Sequence, residues 1–236
     1  MKECENELKE AIVNICKKYE KKKLKILNLE YTQFIQEEIK WIKACNYIKL
    51  EEYQEANRIG RINKTSNDIS KILRKNSKQR QAIYDILIEY NNNLKKINKI
   101  DTQDMELLAL EQAMKNPNSN YTHIFIDNSQ YLTKVQLEFL KALYNEKSYS
   151  SITFIVNNIE NINPNAWITK GRSFSSLGYD MKGKCITLNE LYNEVQVKEI
   201  EESKDKKDNL TQNDEINKGT LENASLNLGT LEYIGL

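Results

Sequence analysis

Two short apolar runs, YTHIFI at 121–126 and SITFIV at 151–156, flank a stretch with helical spacing, and this limits the fold more than any other feature of the chain. Both runs are rich in β-branched and aromatic residues, the composition of strands. Between them Thr133 is followed three residues on by Gln136, the arrangement of a capping box. Val135, Leu137, Phe139, Leu140 and Leu143 form the apolar side of the helix it opens. Strand, helix and strand in succession predict a parallel sheet. A third short strand is predicted at 184–188, with another helix starting near Asn189.

Upstream the spacing is helical throughout. Leu8, Ala11, Ile12, Ile15, Cys16 and Tyr19 predict one helix over 3–27 with a lysine-rich end. Phe34, Ile35, Glu38, Ile39, Trp41, Ile42 and Cys45 predict a second over 31–48, and a short one is expected over 50–59. A longer helix over 77–98 turns Ile83, Ile86, Leu87, Tyr90, Leu94 and Ile97 inward. Asp101 or Thr102 can cap the next, running to Met114 with Met105, Leu107, Leu108 and Leu110 as its apolar side. The segment NPNSN at 116–120 breaks it. With 7 glycines and 2 prolines in 236 residues, long helices are the natural building material. The fold class is therefore α/β and helix-rich.

Charge excludes little. Lys plus Arg is 35 against 34 for Asp plus Glu, so a basic site for nucleic acid would have to be local. The four cysteines, Cys4, Cys16, Cys45 and Cys185, contain no C-x-x-C pair, and His123 is the only histidine. Neither a zinc site nor a disulfide framework is expected. The N-terminus lacks a signal-peptide core and no run reaches transmembrane length, which reads as a cytoplasmic chain with no membrane partner. From about Glu199 the sequence turns polar and reads as a disordered tail. GTLE occurs there twice, at 219–222 and 229–232, too little for a repeat architecture.

The order of segments resembles UvrD/Rep-type superfamily 1 DNA helicases. YTHIFIDNSQYL is similar to their Walker B motif, usually close to hhhDEAQDL: Asp127, Gln130 and Leu132 match, whereas Asn128, Ser129 and Tyr131 depart. IDTQDMELLAL resembles the D-x-x-D helix start that leads into it. In SITFIVNNIENI, Asn157 and Asn158 stand where the third motif has Gly-Asp, and Asn161 where it has Gln. Leu188 and Tyr192 match the later Leu-x-x-Asn-Tyr-Arg, but Leu191 and Asn193 replace its Asn and Arg. The region from FIQEEIKW to EANRIGR resembles the helical subdomain inserted before Walker B. The likeness spans roughly residues 30–195. It implies a helical region over 1–100, a partial RecA-like ATPase core of P-loop NTPase type over 101–198, and the polar tail over 199–236.

The resemblance also says what chemistry is damaged. Family members cradle phosphates in G-x-x-x-x-G-K-[ST]. The nearest string here, Gly60 to Ser66 with Lys64-Thr65, has the wrong spacing, so the chain is expected to begin after the P-loop and to lack its strand. Asp127 would help hold magnesium, and the next acid would act on the attacking water, but Asn128 cannot take a proton near neutral pH. No catalytic or nucleotide site is expected intact: Asp127, Asn128 and Gln130 are Walker B remnants, and Asn158 and Asn161 are remnants of the nucleotide contacts. Asp127 then reads as a strand-end carboxylate capping a loop. Trp167, Lys170, Arg172 and Phe174 lie near where relatives contact DNA. They could stack bases and meet phosphates, or be core aromatics beside a solvated basic turn.

The expectation is a degenerate helicase fragment, a pseudoenzyme without ATPase or unwinding activity, that retains DNA or protein binding. The alternative is half of a split ATP-dependent helicase. ATP and Mg would be cofactors only if another polypeptide supplied the P-loop. Partners in view are single-stranded DNA and a protein completing the sheet, because an opened sheet flank invites a strand from another chain.

Overall fold

A computed structural model describes residues 4–59, 73–116, 121–157, 163–169, 172–187 and 231–235. Helix α1, Glu5–Lys18, buries Leu8, Ala11, Ile12 and Ile15 along one stripe. The single helix expected over 3–27 does not form. Beyond Lys18 a continued helix would set lysines four apart at 17/21, 18/22 and 21/25, which repel. The chain instead winds through three 3₁₀ turns, Glu20–Lys22, Lys25–Leu27 and Leu29–Tyr31, with Lys23 at φ 42°. These turns deliver Ile26 and Leu27 into the core.

Helices α2, Thr32–Ala44, and α3, Leu50–Glu55, follow. Helix α4, Lys78–Lys96, begins on Ser77, whose side chain accepts from the Arg80 amide. It packs antiparallel to α1: Asn14 donates to Glu89 at 3.1 Å, Lys18 meets Asp85 at 2.6 Å, and Asn93 donates to the Glu7 carbonyl at 3.2 Å. Ile97, expected inward, is exposed just past its end. Helix α5, Thr102–Lys115, is capped by Asp101 in a full capping box, but only Leu110 on it is buried. Met105 and Leu108 face outward instead of forming the core side that their spacing suggests.

Strand β1, His123–Ile126, and strand β2, Ser151–Asn157, pair in parallel, with Ile126 beside Phe154. Helix α6, Lys134–Leu143, joins them with the expected Thr133/Gln136 capping box. Val135 and Leu137 are buried on it, while Phe139, Leu140 and Leu143 are half-buried. Strands β3, Cys185–Thr187, and β4, Leu231–Gly235, complete a sheet of order β1-β2-β4-β3. The sheet is not parallel throughout, because β4 runs antiparallel to both β2 and β3. The disordered reading of 199–236 therefore does not extend to 231–235, where the second GTLE contributes to a strand beside β2. The helix expected from Asn189 lies outside the described residues.

One continuous core joins the helical and α/β parts, from Leu8, Trp41 and Ile86 through Leu137 to Phe154 and Tyr179. Phe154 stacks on Phe174 with ring centres 4.1 Å apart and meets Tyr179 edge-on at 5.0 Å. The Tyr179 hydroxyl donates to the Leu137 carbonyl at 2.7 Å, tying the 3₁₀ turn Phe174–Leu177 to α6. Gly178 ends that turn at φ 77°, a conformation that favours glycine, and a Cβ there would stand 2.9 Å from Lys141 Nζ.

Candidate functional site: the strand ends of β1 and β2

Strand β1 runs straight into Asp127, and the chain reverses at Asn128, which sits in the left-handed region at φ 51°. Asparagine tolerates this conformation better than most side chains. The turn closes when the Tyr131 amide donates to the Asn128 carbonyl at 3.0 Å. The exposed Asp127 carboxylate is turned back onto its neighbour. Its Oδ1 accepts from the Asn128 amide at 2.8 Å and its Oδ2 from Asn128 Nδ2 at 3.2 Å.

Asn128 in turn is held from below. Gln130 is buried; its Nε2 donates to Asn128 Oδ1 at 3.3 Å, and its Oε1 accepts from the Asn157 amide at 3.0 Å. Ser129, also buried, donates to the Ile155 carbonyl at 2.8 Å. The series Asp127, Asn128, Gln130 and Asn157 thus staples the C-terminal ends of the two parallel strands. One carboxylate and three neutral amides offer acceptors and donors but no general base beside Asp127. Among the described residues no group of three or more His, Cys, Asp or Glu is placed to hold a metal ion. His123 is exposed, with Nδ1 3.0 Å from Ser151 Oγ. Asn158, Asn161, Lys170 and Gly60 to Ser66 lie outside the described residues.

Trp167 is buried rather than presented to a ligand. Its amide donates to the Leu132 carbonyl at 2.8 Å and its Nε1 to Ser176 Oγ at 2.9 Å. Arg172 lies 4.3 Å from its ring centre and 5.8 Å from that of Trp41, and Nη2 donates to the Asn57 carbonyl at 2.7 Å. Lys134 Nζ approaches the Trp167 ring at 5.6 Å and the Tyr47 ring at 5.8 Å. Burial, with the neighbouring Cys45 adding and Arg172 opposing, pushes the Tyr47 hydroxyl up to about 12. Trp167 and Phe174 are thus buried in the packed structure, with the half-buried Arg172 stacked on the indole.

The chain matches the model of the UvrD/REP helicase N-terminal domain over residues 2–158. It belongs to the UvrD/Rep helicase family. Comparison with curated proteins and with solved structures gives no match. The matched UvrD/Rep domain spans the helical part, β1, the Asp127 turn and β2. The family implies a RecA-like P-loop fold, of which the parallel β1–β2 pair is present here.

Away from the strand ends, the UvrD/Rep domain buries charge at places that motif reasoning passed over. Glu38 is fully buried; Arg58 binds it in two-pronged fashion at 2.9 and 2.7 Å, and the Tyr53 hydroxyl donates at 3.1 Å. Burial, followed by the Glu38 charge, drives the Tyr53 hydroxyl well above its ordinary range. Burial would lower the Arg58 guanidinium, but the Glu38 bond outweighs it and holds it above its usual value. Arg80 donates from Nη1 to the carbonyls of Tyr53, Gln54 and Ala56, capping the buried C-terminal end of α3. Buried Lys43 reaches Asp101 and Asp104 at 2.7 Å each. The D-x-x-D start is thus a helix cap and an anchor for Lys43. The capping pattern was visible in sequence; its cationic partner, 58 residues away from Asp101, was not.

Proposed function

We propose that this chain is a UvrD/Rep-type helicase module that does not hydrolyse ATP by itself. The observation that carries the reading is the Asp127 turn: Asn128 stands where a second acid would act, and both Asp127 oxygens are engaged by Asn128. A positioned general base contributes on the order of 10²–10⁴ in rate, and parts that act as a unit fail together. The nearest P-loop-like string has the wrong spacing. On this reading residues 1–100 correspond to the inserted helical subdomain and 101–198 to a partial ATPase core. The Asp127 turn serves as a staple between strands. Single-stranded DNA at the Trp167 turn would have to displace Arg172 from the indole, which favours a protein-binding role over a base-stacking one. The test is turnover of Mg-ATP by the purified chain with and without single-stranded DNA. No hydrolysis in either condition is expected; DNA-stimulated turnover sinks the reading.

A second reading has its own support. Among the described residues strand β1 lies at the sheet edge, with Phe125 two-thirds exposed, at 67%, and Tyr121 also exposed. Such an edge is suited to accept a strand from a polypeptide bearing the P-loop, making this chain part of a split helicase with ATP and Mg bound at the joint. Mixing the chain with a P-loop segment of a UvrD/Rep helicase tests it. Appearance of DNA-stimulated hydrolysis supports a split enzyme, and continued inactivity of a demonstrated complex ends it.

A further inference from the structure

Positive charge in this chain is concentrated in two short segments. Residues 17–25, KKYEKKKLK, carry six lysines and one glutamate, and residues 74–78, RKNSK, carry three cations and no acid. The whole chain is only +1, so everything outside these two segments is net acidic. The fold brings both segments to one end of the α1–α4 pair. Along that antiparallel pair Asn93 meets the Glu7 carbonyl, Asn14 meets Glu89 and Lys18 meets Asp85. One further step in the same direction leads from the end of α1 into its 3₁₀ turns, and from Asp85 back to Lys78, the first residue of α4. Lys17, Lys21, Lys23 and Lys25 are exposed there, as are Arg74, Lys75 and Lys78. None of the seven has a carboxylate partner among the described residues. The acids beside them are Asp85, already held by Lys18, Gln81 and Tyr19, then Glu20, and Glu55, which accepts from Asn76. The lysine turns are anchored, because Ile26 and Leu27 are buried and the Tyr19 hydroxyl donates to Asp85 at 3.0 Å. Like charges held together on a fixed surface raise the local potential and attract a polyanion, which gains by releasing its own counterions.

The chemistry of this surface points to a phosphate backbone. Of the seven free cations all but Arg74 are lysines. Lysine is a compact point charge suited to singly charged diester phosphates, whereas carboxylates are met best by the two-pronged arginine fork. A bilayer needs a wide apolar face beside the charges. The apolar stripe of α1 faces the core instead, and the exposed large apolar side chains adjoining the lysine turns are Val13 and Leu29. We propose that this end of the α1–α4 pair, built from Lys17–Lys25 and Arg74–Lys78, binds nucleic acid through its phosphates without reading sequence. The contact uses neither the Asp127 turn nor Trp167, and it is independent of whether the chain hydrolyses ATP.

Fluorescence anisotropy of labelled oligonucleotides, an oligo-dT strand and a duplex of mixed sequence, titrated with the full chain at several salt concentrations tests this. Binding that weakens linearly with the logarithm of salt is expected. Lys21→Glu with Lys23→Glu, and separately Arg74→Glu with Lys75→Glu, should each weaken it about tenfold or more and lower the salt slope by roughly 2. Lys95→Glu with Lys99→Glu changes net charge by the same amount at the opposite end of α4, and both side chains are exposed. That pair should weaken binding by no more than about threefold, as expected of charges beyond a Debye length from the contact. All six altered side chains are exposed, so the circular dichroism of every variant should match the unaltered chain. No oligonucleotide binding at low salt overturns the proposal, as does an equal loss in all three variants. Poly-glutamate or phosphatidylserine vesicles that bind more tightly than either oligonucleotide would also overturn it, in favour of an acidic protein or a membrane.

Discussion

The helical part and the strand ends of β1 and β2 use polar side chains in opposite ways. In the helical part, charges are buried and answered: Glu38 by Arg58 and Tyr53, and Lys43 by Asp101 and Asp104. At the strand ends, the one carboxylate is exposed and the groups beneath it are neutral amides. A buried ion pair is tolerated only when nearly every lone pair and proton has a partner, so each member is indispensable. An exposed carboxylate beside amides carries no such obligation. The difference teaches that this UvrD/Rep domain places paired charges where helices pack together and mostly neutral amides where the two parallel strands end.

The comparison can be broken most directly at Glu38. Glu38→Ala leaves Arg58 buried without its carboxylate and should cost about 3–5 kcal/mol, read as the denaturation midpoint. A loss below about 1 kcal/mol would mean that the pair is not a structural keystone. At the strand ends, Gln130→Ala removes the bonds to Asn128 and the Asn157 amide and should cost about 1–3 kcal/mol. If it matched Glu38→Ala, the two regions would not differ in kind. Thr133→Ala deletes the cap of α6 and is expected to cost about 1 kcal/mol without altering the helix content beyond its first turn.

Acid sharpens the contrast. Burial would raise the Asp85 carboxyl, but bonds from Lys18, Gln81 and Tyr19 outweigh it and hold it below its ordinary 3.8. A depressed folded value means that the stabilisation is fully present above the ordinary carboxylate range and is lost as pH falls through the lower folded value. Acid titration of stability should therefore show a shallower loss below about pH 4 in Asp85→Asn than in the unaltered chain. Parallel limbs would remove Asp85 from the α1–α4 contact. The smallest effect is expected at Asp127→Asn, which keeps an acceptor for the Asn128 amide; stability should move by no more than about 0.5 kcal/mol. A larger shift would make Asp127 a structural charge and erase the contrast.

Much of this was legible in the chain itself. The stripe Phe34, Ile35, Glu38, Ile39, Trp41, Ile42 and Cys45 is buried as its spacing says, Glu38 included. The helix expected over 77–98 is Lys78–Lys96, and the Thr133 and Asp101 caps both form. These succeed because period, caps and strand composition are local properties. Spacing failed where it was right about geometry and wrong about company. Met105 and Leu108 do share a face of α5, but no described element lies against it.

At the candidate site, the motif order pointed to the Asp127 turn and led to the family, and the resemblance set Asn128 where a second acid is expected. It could not say that Asp127 folds back on Asn128, since a left-handed backbone at Asn128 and a buried Gln130 decide that. Nor could it choose between a DNA-stacking and a packed Trp167, because the choice depends on Arg172, Lys134 and Trp41 arriving from three separate segments.

By itself the sequence determined the helices, their caps, the parallel β1–β2 unit and membership of the UvrD/Rep family, since each rests on residues a few positions apart or on their order. Tertiary structure alone decided where buried charges find partners and that β4 closes the flank of β2. Those outcomes join residues tens of positions apart, and burial sets their energies, because a charge or strand edge is costly or harmless according to what the rest of the chain packs against it.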